Sequence, residues 1–205
     1  MKMNIQLSKL REFYRKELKR WLWIVAAAFL ILIVLGFLIG LFFPHIAENT
    51  MTLFAQGVAG LDVVDEAGNF SAVALFFNNL RALLMGLAYG FIPFMYLSAL
   101  PLGVNSMIMG LFAAVYVNRG TTIALYFAAL FPHGLFELPA MLLSFFCGIY
   151  LCHIVTDYIR HNQKGLVKEA VMNILRVLLL NITPLLLLAA LLEAYVTPQF
   201  AKLFM

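Results

Sequence analysis

Phe131-Pro132-His133-Gly134-Leu135-Phe136-Glu137-Leu138-Pro139-Ala140 is the stretch whose reading decides the fold. Its surroundings are strongly apolar, yet it holds two prolines, a glycine, a histidine and a carboxylate. Ionisable side chains in hydrocarbon are costly and face a protein interior or a polar cavity. His133 and Glu137 are four positions apart, which on a helix puts both on one face. Pro132 removes a backbone donor and Gly134 loosens the helix, so the stretch predicts a break beside His133.

Apolar runs of roughly 20 residues recur along nearly the whole chain, the length a helix needs to span a bilayer. Of the 205 residues, 64% are hydrophobic and 12% charged, against roughly a quarter charged in a soluble domain. The chain therefore reads as an all-α integral membrane protein; a β-barrel would show short alternating segments instead. The amino-terminal 20 residues are basic and precede an apolar run without a small-residue cleavage site, which reads as an anchor helix rather than a removable signal.

Residues 1–20 carry Leu7, Leu10, Phe13, Tyr14 and Leu18 at helical spacing among Lys and Arg, the pattern of an amphipathic helix on the cytoplasmic surface, where it would meet anionic lipid. A plain cytoplasmic positive flank fits as well. Residues 21–43 form the first span. Residues 44–71 hold Glu48, Asp62, Asp65 and Glu66 without Lys or Arg, an extracytoplasmic acidic loop with room for a short interfacial helix through Met51, Leu53, Phe54, Val58 and Leu61. Residues 72–205 make the helical membrane core. Its spans are expected at 72–99, kinked by Pro93, at 102–117, and at 170–196, broken near Asn181, Thr183 and Pro184. Gly86, Gly90 and Gly110 permit close helix contact and are compatible with a homodimer.

Between Asn118-Arg119-Gly120 and the basic loop at Arg160 to Lys168, the positive-inside rule leaves room for one crossing. The apolar stretch there is too long for one ordinary span. A re-entrant segment near 121–134, turning at Pro132-His133-Gly134, followed by a full span over 135–158, resolves the count; two short full spans are the alternative. The expectation is five transmembrane helices plus one re-entrant or short helix, with the amino terminus cytoplasmic and the carboxyl terminus outside. Cys147 and Cys152 are expected as free buried thiols.

In that topology Asn78, Arg81, His133, Glu137 and Glu193 fall in the outer half of the bilayer, with Asn105 on the third span. Arg81 facing two carboxylates makes a buried polar network, with His133 as its titratable member. The network is either structural, with Arg81 neutralising Glu137, or a binding site for a charged solute or lipid headgroup in a transporter or channel-like module. A metal-dependent hydrolase would use His133, Glu137 and Glu193, which are acceptable ligand types, but one histidine and no ligand cysteine give it little support. No cofactor is expected, and no phosphate loop, nucleophile elbow or nucleic-acid motif is present.

Several motifs resemble the stage II sporulation protein M family: Phe77-Asn78-Asn79-Leu80-Arg81-Ala82, the segment with Asn105, Pro132-His133-Gly134 through Glu137-Leu138-Pro139-Ala140, and Ala190-Leu191-Leu192-Glu193-Ala194-Tyr195-Val196-Thr197-Pro198. The resemblance covers roughly 70–200 in element order, and the amino-terminal helix and first span match only in kind. It implies a multi-pass plasma-membrane protein of bacteria or archaea. The named member in sporulating bacteria is a membrane scaffold, not itself known as an enzyme. It works with two cell-wall-degrading partners during engulfment. The family also occurs in organisms that do not sporulate. By this resemblance the expected partners are extracytoplasmic cell-wall hydrolases and membrane lipids, with no nucleic acid.

Overall fold

A computed structural model describes residues 2–59, 70–162 and 165–204. Those residues are helical almost throughout, and no β-strand is formed among them. In hydrocarbon only a helix satisfies its own backbone along its length, which is why composition and architecture agree. Five helical segments are long and apolar enough to cross a membrane: Trp21–Phe42, Ala72–Phe91, Ala99–Asn118, Ile123–His161 and Leu166–Tyr195.

Helix α1 (Lys2–Phe13) continues through a π-helical turn, Tyr14–Leu18, into α2 (Lys19–Phe42). The amphipathic amino-terminal helix is present, but its apolar stripe meets protein: Leu10, Phe13 and Leu18 are buried. The Phe13 ring lies 5.3 Å from Tyr150 and 6.2 Å from Phe146, and the Trp21 ring lies tilted at 6.0 Å from His153. These side chains therefore dock on later helices and leave only exposed neighbours such as Leu7 for lipid.

Helix α3 (Pro44–Ala59) realises the short helix expected within 44–71. Ala47 is fully buried in a small cluster with Leu111 and Val115, and Phe54 sits edge-on against Phe112 at 5.2 Å. Asp62, Asp65 and Glu66, the rest of the acidic loop, lie outside the described residues.

Helix α4 (Ala72–Ala88) starts at Ser71, whose hydroxyl accepts the Ala74 N–H at 3.3 Å. It ends in a 3-10 turn, Tyr89–Phe91, and an irregular stretch before α5 (Ala99–Asn118). Pro93 therefore terminates the helix rather than kinking it, and Phe94 and Tyr96 take positive φ. Buried backbone needs partners. Two come from the long helix Ile123–His161: Thr156 Oγ1 accepts the Phe94 N–H at 2.9 Å, and the Cys152 thiol donates to Ile92 O at 3.2 Å. Both cysteines are free and buried, as expected.

Helices α2 and α5 pack most closely. A Cβ at Gly36 would overlap the Met107 backbone, and one at Gly110 the Ile33 and Phe37 backbones. Gly36 and Gly40 form the G-x-x-x-G spacing that lets two helix backbones touch. Asn118 closes the seam by donating from Nδ2 to Gly40 O at 2.9 Å.

The re-entrant turn is not formed. Residues Ile123–His161 are one 39-residue helix, α6, with Pro132 and Pro139 inside it. At 1.5 Å per residue it is about 58 Å long. Its middle is the core of the molecule: Phe145, Phe146, Cys147, Leu151 and Cys152 are almost fully buried. Both prolines lie inside the helix without ending it, where a solvated helix would bend or stop. The last span is α7 (Leu166–Val177), a π-helical turn Leu178–Ile182, and α8 (Thr183–Tyr195). The break expected around Asn181 and Pro184 is absorbed by this wider turn, with Pro184 in the first turn of α8. A short helix, α9 (Thr197–Ala201), folds back against α6.

Candidate functional site

Three ionisable side chains converge where α6 meets α8. His133 and Glu137 stand on successive turns of α6, with Nε2 4.0 Å from Oε2. Glu193 comes from α8, and one ligand-type atom from each of the three lies within 4.8 Å of the others. They are partly screened, the His133 side chain being 13% exposed and that of Glu137 28%. A fourth residue completes the group: Thr197, at the start of α9 and buried, has Oγ1 3.2 Å from His133 Nδ1. With Nδ1–H donating to Thr197, the lone pair of His133 lies on Nε2, toward Glu137.

Glu137 also borders a cavity of about 130 Å³ lined by Asn79, Asn105, Pro101, Met141 and Leu186. Asn105 donates from Nδ2 to Pro101 O at 2.8 Å, one turn back on its own helix. The two amides and the carboxylate give this cavity a polar wall among apolar residues. A group with two carboxylates, an imidazole, a hydroxyl and nearby amides can hold a proton or a cation.

Arg81 is not part of the group. It is exposed on the other side of α4, in an open apolar groove with Phe77, Leu80, Leu84, Met85 and Ala88. No carboxylate of the described residues lies within ion-pair distance of it. The helix explains this: Arg81 is two positions from Asn79, about 200° around the axis. The inward stripe of α4 is Leu75, Leu83 and Gly86. Asn79, not Asn78, continues that stripe to the cavity; Asn78 is half-buried and does not line it. Of the six expected residues, His133, Glu137 and Glu193 come together, Asn105 is adjacent through the cavity, and Asn78 and Arg81 stand apart.

Thr197 and Asn79 stand within the quoted motifs but are not among the six expected site residues. Thr197 lies 64 positions from His133, at the end of the motif that also holds Glu193. Asn79 was marked by its place on the apolar stripe.

The chain is 28% identical over 173 residues, 84% of its length and 95% of the relative's, to the Uncharacterized protein MJ0793 of Methanocaldococcus jannaschii. No solved structure matches. The family described as Stage II sporulation protein M matches residues 23–198, which takes in the first span as well as the convergent group. This chain belongs to the Stage II sporulation protein M family.

Proposed function

We propose that the protein is a non-enzymatic membrane scaffold that organises extracytoplasmic cell-wall-remodelling enzymes. The observation that carries this reading is the way α3 is fixed. Arg119, just past α5, pairs through both Nε and Nη2 with the Glu48 carboxylate, the Nε contact being 2.9 Å. Ala47 and Met51 pack on Leu111 and Val115 on the same side. The α2–α5 seam beneath is rigid because its glycines let the backbones meet. The result is an anchored helix that presents Ile46, Leu53 and Phe54 outward, Leu53 being 68% exposed. A segment fixed in this manner suits presentation of a surface better than a loose linker does. Basic residues cluster in the amino-terminal segment and after α6, a distribution that favours an extracytoplasmic α3 by the positive-inside rule. Family membership supports the same reading.

The test is site-specific photo-crosslinking in living cells from Leu53, with Val34 on the lipid-facing side of α2 as control. The expected product from Leu53 is a covalent adduct with a wall-cleaving enzyme, absent from Val34. The reading fails if Leu53 yields no protein adduct and deletion of the gene leaves wall remodelling unchanged.

A further inference from the structure

We propose that His133, Glu137 and Glu193 form a binding site for one divalent first-row cation, of the Zn²⁺ class, clamped between α6 and α8. This goes beyond the scaffold reading and does not depend on it.

The first argument is charge. Two carboxylates within 4.8 Å of each other in a membrane-spanning helix pair cannot both stay charged without a positive partner. The arginine that the sequence offers, Arg81, is on the far side of its helix. A dication with two carboxylates and a neutral imidazole sums to zero charge, the state least costly in a low-dielectric setting.

The second argument is the ligand set. One nitrogen and two carboxylate oxygens suit zinc, manganese or ferrous iron better than they suit calcium, which prefers oxygen alone. Three protein ligands with a further position open is the pattern of accessible zinc sites.

The third argument is orientation. A metal-bound histidine donates its other ring N–H to a fixed acceptor, which sets the tautomer. Thr197 Oγ1 stands 3.2 Å from His133 Nδ1, leaving Nε2 for the ion. Bonds of about 2.1 Å in a tetrahedral site put ligand atoms about 3.4 Å apart. The Nε2–Oε2 separation is 4.0 Å, so sub-ångström rotations of the His133 and Glu137 side chains close that edge of the site.

The test uses the full-length protein in detergent, loaded with Zn²⁺, dialysed against metal-free buffer and analysed for total metal. The wild type is expected to keep about one equivalent. His133→Ala and Glu193→Gln are expected to lose it, and Thr197→Val to bind roughly tenfold more weakly. His153→Ala removes a competing half-exposed pair, His153 with Asp157 at 3.5 Å, and is expected to leave retention unchanged. Zinc-edge X-ray absorption on the wild type is expected to show nitrogen and oxygen ligands with a single imidazole. This spectrum decides the matter even where a variant fails to fold. The proposal is overturned if the wild type keeps no zinc, if the spectrum shows sulfur or several imidazoles, or if folded His133→Ala keeps as much zinc as the wild type.

Discussion

Gly110 lies so close to Ile33 that a methyl group at its Cα would overlap the Ile33 carbonyl oxygen. The α2–α5 seam is thus set by backbone-to-backbone contact, with nothing flexible to yield. Gly110→Val should cost about 1–3 kcal/mol through overpacking, read as a lower unfolding temperature in detergent. Gly103→Ala is the control, since its nearest neighbour is Leu32 Cδ1 at 3.9 Å. Equal stability of the two variants would contradict the seam as described.

The Glu48–Arg119 pair should make the anchoring of α3 sensitive to acid. The hydrogen bond from Arg119 holds the Glu48 carboxyl below its ordinary range. A carboxyl depressed in the folded state contributes stability above its unfolded value, and that contribution is lost as pH falls through the folded one. Spin labels on α3 and α5 should report a fixed distance at neutral pH that broadens below about pH 4. Glu48→Gln should show the broad distribution at neutral pH. An unchanged distribution in that variant would remove the pair as the anchor.

Thr156 should matter more than a buried threonine whose hydroxyl has no special partner. It takes the N–H of Phe94, in the irregular stretch that Pro93 creates. Thr156→Val keeps the shape and leaves that donor unmet, at a cost of about 1–3 kcal/mol. Thr156→Ser should restore most of it. Chemical denaturation with all three proteins checks the order.

Arg81 and Glu137 should behave as independent sites. They occupy opposite sides of α4, so the effects of Arg81→Met and Glu137→Gln on stability should add to within about 0.5 kcal/mol. A larger coupling in the double-mutant cycle would mean that the two charges do share an environment.

The five spans were legible because hydrocarbon admits few backbone solutions and hydropathy reports it directly. The continuity of α6 was not. Pro132 and Pro139 are helix breakers in water, yet both stand inside α6 without ending it, as membrane helices tolerate more readily than solvated ones. The misplacement of Arg81 had a cure in the sequence: reading α4 at 100° per residue separates it from Leu75, Asn79 and Leu83. Gly36 and Gly40 likewise carried a readable spacing for the α2–α5 seam. His133 and Glu137 could be paired from their spacing alone. Thr197 could not be joined to them, because only the return of α9 against α6 brings it near.

Helix α6 has a consequence for the lipid around it. At about 58 Å it is nearly twice the roughly 30 Å thickness of a hydrocarbon core, whereas the 20-residue α5 is about 30 Å and matches it. A flat slab cannot suit both rods. The longer one must lean, lift its tips clear of the hydrocarbon, or draw a thicker layer of lipid around itself.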